Sequence, residues 1–264
     1  MSNLDAVDDQ GHVVPVPERV RRVVSLVPSL TETIAVTAPG LLVGATDWCI
    51  QPAELEVARV RGTKNPDVQA VIGLQPDVVL ANEEENRESD LVALRAAGLA
   101  VWVTAPQDVP GALRSLDRML RLACRVPRPD WLDQAEQAWA DLPVVPPSLQ
   151  RRAIIPIWRR PWMTVGRDTF AGDVLARLGV ANVLADADDR YPKVDLSVLP
   201  AYDLVVLPDE PYAFGPTDGP EVFPHVDVAL VDGRQLTWYG PSLVTAPDVL
   251  SAQLAAAKPG AAWH

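Results

Sequence analysis

The side chains with most chemistry to offer lie in two short runs, W-R-R-P-W at 158–162 and N-E-E-E-N at 82–86. Each directly follows a stretch of buried-strand type. In the first run Arg159 and Arg160, with Arg167 close behind, can grip an anion bidentately, or they can pair with the acidic run. Trp158 and Trp162 flank those arginines. With Trp48, Tyr191, Tyr212 and Phe214, all in predicted loops, they offer rigid, partly apolar area suited to a flat or bulky ligand. Trp102, Trp131 and Trp139 lie inside predicted elements and read as packing. Glu83, Glu84, Glu85 and Glu88 suit a solvated helix start, where negative charge complements the macrodipole. They can also offer oxygen to a hard cation, but three consecutive carboxylates cannot all point at one ion.

Catalytic patterns are missing. There is no G-x-S-x-G, H-E-x-x-H, Walker loop or G-x-G-x-x-G. His12, His225 and His264 have no metal-ligand spacing, and Cys49 and Cys124 form no C-x-x-C pair. Cys49 is a loop thiol, inert as a nucleophile unless its pKa is depressed. A net charge of −12 argues against nucleic acid or an anionic membrane surface as partner. No apolar run reaches the ~18 residues a spanning helix needs. The start, M-S-N-L-D-A-V-D-D-Q-G-H, has no apolar segment of the secretory kind, so the expected location is the cytoplasm.

The elements that must position these side chains follow from periodicity. R-V-V-S-L-V-P-S-L-T-E at 22–32 reads as a buried strand over 23–27, turned by Pro28 into a helix whose Ser29 and Glu32 form an S-x-x-E capping box. Before it, residues 8–20 form an edge hairpin or arm with Gly11 at the turn and Pro15 and Pro17 barring a central position. Strands are expected over 41–46, 77–81 and 100–105, with helices over 67–74, up to 97, and 108–126. A further helix is expected over 130–142, with P-V-V-P-P-S after it as a linker. The pattern then restarts. Strands are expected over 153–157 (interrupted at Pro156), 163–165, 203–207 and 228–231. A helix capped by Asp168 or Thr169 ends at Gly179, and a last helix runs over 242–257. Strands alternating with helices at this spacing make a parallel α/β sheet. D-V-V-L-A-N-E-E at 77–84 echoes D-L-V-V-L-P-D-E at 203–210, as two lobes on one plan would.

The ordered set D-D-Q-G-H-V-V-P-V-P, R-V-V-S-L-V-P-S-L-T-E, L-Q-P-D-V-V-L-A, G-R-D-T-F-A-G-D-V-L-A-R-L-G-V-A-N-V and L-T-W-Y-G-P runs from residue 8 to about 250. In it the chain resembles the class III substrate-binding proteins, the helical-backbone receptors of iron–siderophore and cobalamin importers, with cobalamin-binding members nearest in the first half. The resemblance implies two parallel-sheet α/β lobes, 1–126 and 149–264, joined through a single helix and linker at 127–148. It places the ligand loops on Pro28 to Thr31 (with Ser29), Trp48, Thr63 to Asn65 (with Lys64), and Asn82 to Asn86 (with Asn82, Glu83, Glu84 and Asn86). In the second lobe they fall on Trp158 to Trp162, Tyr191 and Asp209 to Phe214 (with Glu210). The positions where the family presents a glutamate to its permease hold Gln69 and Asp195, which counts against docking on one. At 1.5 Å per residue the connecting helix would be only ~20 Å long, shorter than is usual in the family.

The expected function is a non-catalytic, monomeric receptor that holds a metal chelate, a corrinoid or a ferric siderophore, in a cleft between two lobes. The ligand brings its own cobalt or iron, and the protein carries no intrinsic cofactor or metal. Trp158, Trp162 and Tyr212 would pack on the chelate, and Arg159, Arg160 and Arg167 would hold its anionic groups. Two other readings stand beside this one. The first is an exported importer subunit whose signal was trimmed. The second is an enzyme or chaperone acting on the chelate, with Cys49 or the glutamate run reactive.

Overall fold

The computed structural model describes residues 6–263. It divides into two compact units. Unit 1 comprises the chain through Pro106, Gly111–Asp133 and Tyr239–Pro241; unit 2 comprises Gln107–Pro110, Gln134–Trp238 and the chain from Ser242 onward.

Unit 1 holds strands β1 (Val23–Ser25), β2 (Leu42–Ala45), β3 (Ala58–Arg59), β6 (Val78–Asn82) and β7 (Val101–Thr104), in the sheet order β3-β2-β1-β6-β7. All are parallel, with Val23 paired to Val78 and Ser25 to Leu80. A two-stranded ribbon, β4 (Arg61–Gly62) with β5 (Asn65–Pro66), turns at Thr63 and Lys64. Helices α1 (Pro28–Thr37), α2 (Val68–Gly73), α3 (Glu88–Ala96) and most of α4 (Val109–Arg118) complete the unit. Every residue of β6 is buried, as a strand covered on both faces must be, and Val24, Val79 and Val103 share one core with Leu91 and Leu94 of α3. The predicted edge hairpin is present. Val7 bridges Val13, Gly11 takes φ +81, and the Asp9 N–H donates to Val103 O at 3.1 Å, covering the free edge of β7.

The predicted capping box is not formed. Pro28 is the first residue of α1, where its missing N–H costs nothing, and Val27 is the N-cap with extended backbone and no side-chain hydrogen bond. Ser29 therefore lies inside the helix, and both Ser29 and Glu32 are buried. A side-chain cap does occur at α2, where Asp67 accepts from the Ala70 N–H at 3.0 Å.

Unit 2 repeats the plan. Strands β8 (Arg151–Ile154), β11 (Val180–Asn182), β12 (Leu204–Pro208), β13 (Asp227–Val231) and β14 (Lys258–Pro259) have the order β11-β8-β12-β13-β14, and β14 alone is antiparallel. The order β11-β8-β12-β13 matches β2-β1-β6-β7, and the echoed sequences fall on β6 and β12, the strands beside β1 and β8. Pro156 splits the single strand expected over 153–157. β8 ends at Ile154, and β9 (Pro156–Arg159) forms a separate antiparallel ribbon with β10 (Trp162–Thr164). Helix α6 (Phe170–Arg177) is capped by Thr169, whose Oγ1 accepts from the Gly172 N–H, and the chain leaves it through Gly179 at φ +81. The strand β11 and the short helix α7 (Gly233–Thr237) were not expected. The last helix is shorter than expected: a 3-10 turn at Pro241–Val244 precedes α8 (Ala246–Ala255), which restarts with Pro247 in its first turn.

Helix α5 (Asp130–Ala140) carries the chain from one unit into the other. At 11 residues it is about 16 Å long. Its two ends are pinned separately: Trp131 Nε1 donates to Thr37 Oγ1 at 3.0 Å in unit 1, and Trp139 Nε1 to Leu243 O at 2.9 Å in unit 2.

Candidate functional site

Because the main strands of each sheet are parallel, the segments after Ser25, Ala45, Asn82 and Thr104 leave unit 1 from one edge of its sheet. Open α/β sheets bind ligands at that carboxyl edge. Two asparagines stitch the loops there. Asn86 Nδ2 donates to Leu26 O at 3.3 Å and to Thr63 O at 2.9 Å, joining the segment after β1 to the β4–β5 turn. Asn82 Oδ1 accepts the N–H groups of Glu84 at 2.8 Å and Glu85 at 3.0 Å, and the Glu83 N–H donates to Thr104 O at 3.0 Å. Lys64 Nζ donates to the carbonyl of Glu84.

This arrangement corrects several expected roles. Ser29, Asn82 and Asn86 are buried, so they shape the edge and do not present side chains to a ligand. Lys64 is exposed and donates one of its three ammonium hydrogens to a backbone carbonyl. Glu83, Glu84 and Glu85 remain at the edge, on a loop whose N–H groups are already used.

Trp48 is the exposed aromatic of unit 1, with 68% of its surface open. Its loop is fixed from beneath: Arg59 Nη1 donates to Thr46 O at 3.0 Å and to Cys49 O at 2.9 Å. Gly62 permits the close approach, since a Cβ there would stand 3.3 Å from Trp48 Nε1 and 2.5 Å from Asn65 Oδ1. Cys49 points inward and has no exposed surface. Thr31 Oγ1 donates to its Sγ at 3.0 Å, and Thr46 Oγ1 lies 3.1 Å from it. Burial pushes its thiol above the ordinary value, against the lowering effect of those hydroxyls. The reading that made Cys49 a reactive thiol is therefore corrected.

In unit 2 the segments after Ile154, Asn182, Pro208 and Val231 leave the corresponding edge. The β9–β10 ribbon grows from it, with its turn at Arg160 and Pro161. Trp162 stacks parallel on Phe214 with centroids 6.0 Å apart and meets Phe223 edge-on at 5.9 Å. Phe214 is buried in the core with Val205 and Leu207 and is removed from the ligand surface. Trp162 is half-buried in the same cluster. Trp158 keeps 42% of its surface, held edge-on to Tyr212 at 5.5 Å, and Tyr212 Oη donates to Asp218 Oδ2 at 2.7 Å. Tyr191 is placed by its neighbours: the Gly166 N–H donates to Arg190 O at 2.7 Å and the Thr164 N–H to Pro192 O at 3.1 Å. Glu210 packs on α7, where a Cβ on Gly233 would meet its Cγ at 2.4 Å.

The three arginines separate. Arg159 lies over the Trp162 ring at 5.7 Å and is paired with both Asp218 and Glu221, so its charge is met inside unit 2. That corrects its expected role as an anion clamp. Arg167 lies 3.9 Å from Asp168 and is largely exposed, and Arg160 is exposed at the ribbon turn.

Sequence reading missed the group that holds Asn82. Tyr239 Oη accepts from Asn82 Nδ2 at 2.7 Å and lies 2.9 Å from Thr104 Oγ1. The signal for it was W-Y-G-P, an aromatic residue set in a turn with no periodic element around it. A groove of about 300 Å³, lined by His12, Val14, Arg95, Leu99 and Val101, lies at the amino end of β7, away from the carboxyl edge. Among the described residues, no three His, Cys, Asp or Glu side chains are grouped to hold a metal ion.

No family model matches the chain. Over 182 residues it is 29% identical to the vitamin B12-binding protein of Salmonella typhi, a match covering 66% of this chain and 66% of that one, just under two thirds of the relative's length. The periplasmic vitamin B12 binding protein BtuF of Vibrio cholerae superposes with a TM-score of 0.72 at 17% identity, over 90% of this chain and 98% of that one. The chain is similar in sequence to proteins named for binding vitamin B12 and shares the fold of periplasmic binding proteins. The fold is the expected pair of parallel-sheet α/β units. The periplasmic heme-binding protein RhuT of Roseiflexus sp. RS-1, in its apo form, shares it with a TM-score of 0.66 at 20% identity, over 89% of this chain and 98% of that one.

Proposed function

We propose that this chain is a non-catalytic receptor for a metal chelate, and that the chelate is a corrinoid of the cobalamin type. The observation that carries this reading is its likeness in sequence to proteins named for binding vitamin B12. The metal arrives within the ligand, and the protein supplies contact surface in place of ligand atoms. Trp158, braced by Tyr212, and Trp48 supply flat apolar area at the carboxyl edges of their sheets.

Charge favours the corrinoid over a ferric siderophore of high negative charge. Arg159 is already paired twice, Lys64 serves a carbonyl, and Glu83 to Glu85 stand at the edge of unit 1. Of the three arginines near the β9–β10 ribbon, Arg160 and Arg167 are left to meet a ligand bearing several negative charges. The test is a tryptophan-fluorescence titration with cyanocobalamin, haem and a tris-catecholate ferric siderophore. Saturable quenching by cyanocobalamin at micromolar concentration or below supports the reading. Equal or stronger quenching by the siderophore overturns the preference, and no quenching by any of them overturns the receptor.

A second reading, an exported importer subunit, is favoured by the structural neighbours, which are periplasmic binding proteins. The positions of the docking glutamates weigh the other way. Gln69 is exposed but uncharged, and the carboxylate of Asp195 is occupied as an N-cap, accepting from Ser197 N at 2.9 Å and Oγ at 2.7 Å. Cell fractionation followed by immunoblotting separates the two readings.

A further inference from the structure

We propose that Tyr239 is a positioning residue for the loop Asn82–Asn86, fixing the orientation of the Asn82 amide and with it the acidic part of the ligand edge. Its effect on affinity rests on the receptor reading above; its effect on the loop does not.

One assignment of the hydrogen-bond directions satisfies all of these groups together. Thr104 Oγ1 donates to Ala81 O at 3.1 Å, which uses its only hydrogen. Tyr239 Oη, 2.9 Å from Thr104 Oγ1, is then the donor in that pair. The Tyr239 oxygen is left as acceptor for Asn82 Nδ2 at 2.7 Å, while the other Nδ2 hydrogen goes to Thr104 O at 2.9 Å. With both amide hydrogens placed, Oδ1 faces the other way and receives the N–H groups of Glu84 and Glu85. A flipped amide would set Oδ1 against the Thr104 carbonyl, acceptor to acceptor, and would offer hydrogens to two N–H donors.

The segment carrying Tyr239 is seated for this task. It leaves the α7 region, returns to unit 1 for three residues and departs again. Gly240 allows the seating, because a Cβ there would stand 2.9 Å from Thr33 Oγ1 and 3.2 Å from Ser29 O. The phenol is buried, which raises its pKa, against the lowering effect of its contact with Thr104 and with Glu85 and Glu84 adding to the rise. It therefore stays a donor throughout the working pH range.

Tyr239→Phe removes one oxygen and leaves the ring. In ligand-free protein, amide hydrogen exchange at Glu84 and Glu85 should quicken about tenfold, while Val24 in β1 and Val103 in β7 change by less than about twofold. Unchanged exchange at Glu84 and Glu85, or an equal rise through all of unit 1, overturns the proposal. Thr104→Val, which removes the acceptor of the Tyr239 hydroxyl, should quicken the same two amides about threefold, and Thr104→Ser should leave them as in the parent. Should Tyr239→Phe not fold, these two variants carry the test. With cyanocobalamin as probe, Tyr239→Phe should weaken binding about five- to tenfold. Absence of binding by the parent protein sinks the receptor reading and leaves the exchange result to decide on Tyr239.

Discussion

Asn82 and Asn86 are hydrogen-bonded to each other twice: Asn86 Oδ1 accepts the Asn82 N–H at 2.9 Å, and the Asn86 N–H donates to Asn82 O at 3.1 Å. Asn86 Nδ2 then reaches two other loops. Asn86→Ala would leave buried backbone groups of β6 and of the segment after β1 without partners. The expected cost is about 2 kcal/mol, read as a lowered midpoint in urea unfolding. An unchanged midpoint would show that the stitching contributes nothing.

Arg159 and Arg160 are adjacent and should behave differently. Arg159→Ala breaks pairs with Asp218 and Glu221 and should cost about 1–2 kcal/mol of stability, weakening anionic and neutral ligands alike. Arg160→Glu should leave stability within about 0.5 kcal/mol and act only on ligands that carry negative charge. Urea unfolding of both variants, with cyanocobalamin and haem titrations, separates the outcomes. A charge-selective effect of Arg159→Ala would return that residue to the ligand surface.

Glu221 makes the same network sensitive to acid. Burial pushes its carboxyl up, but the Gly219 N–H, its own backbone N–H and Arg159 outweigh that and hold it below the ordinary 4.5. A carboxylate depressed in the folded state adds stability above its unfolded pKa, and that stability is lost as pH falls through the folded value. Melting temperature should therefore be level near neutrality and fall below about pH 4.5, with a shallower fall in Glu221→Gln. A fall that begins above pH 6, or no difference between the two proteins, would contradict this.

Neither cysteine should react in the native protein. Cys49 is sealed by Thr31 and Thr46, and burial pushes the Cys124 thiol up to about 12. Treatment with a disulfide thiol reagent at pH 8 should label no thiol within minutes and two after denaturation. Prompt native labelling at Cys49 would reopen the enzymatic reading.

Much of this fold could be read from runs such as Val78–Asn82 and Leu204–Pro208, because a strand buried on both faces needs continuous apolar residues. Local punctuation was less legible. S-L-T-E at 29–32 has the letters of a capping box, yet Pro28 fits the first helical position so well that the helix starts before Ser29. The site was legible as loops and not as roles. Nothing near Arg159 in the sequence announces Asp218 and Glu221, and Asn82 meets Tyr239 across 157 residues. Such pairings arise from the return of the chain to a sheet edge, which residue types and spacing do not encode.

In the proposed receptor, Trp158 is the aromatic on which the ligand surface of unit 2 would most depend. Trp158→Ala removes an exposed ring, so stability should change by less than about 1 kcal/mol. Cyanocobalamin affinity should fall about 10- to 100-fold, a loss of the size expected for an aromatic anchor. A binding curve that matches the parent would place the ligand away from the β9–β10 ribbon.

Native mass spectrometry of the protein with a modest excess of cyanocobalamin tests the central claim most directly. The account predicts a single added mass equal to one cobalamin, retained under gentle activation and strongly reduced in Trp158→Ala. A spectrum showing only the free chain at tens of micromolar ligand, or an adduct equally abundant in the variant, would contradict it.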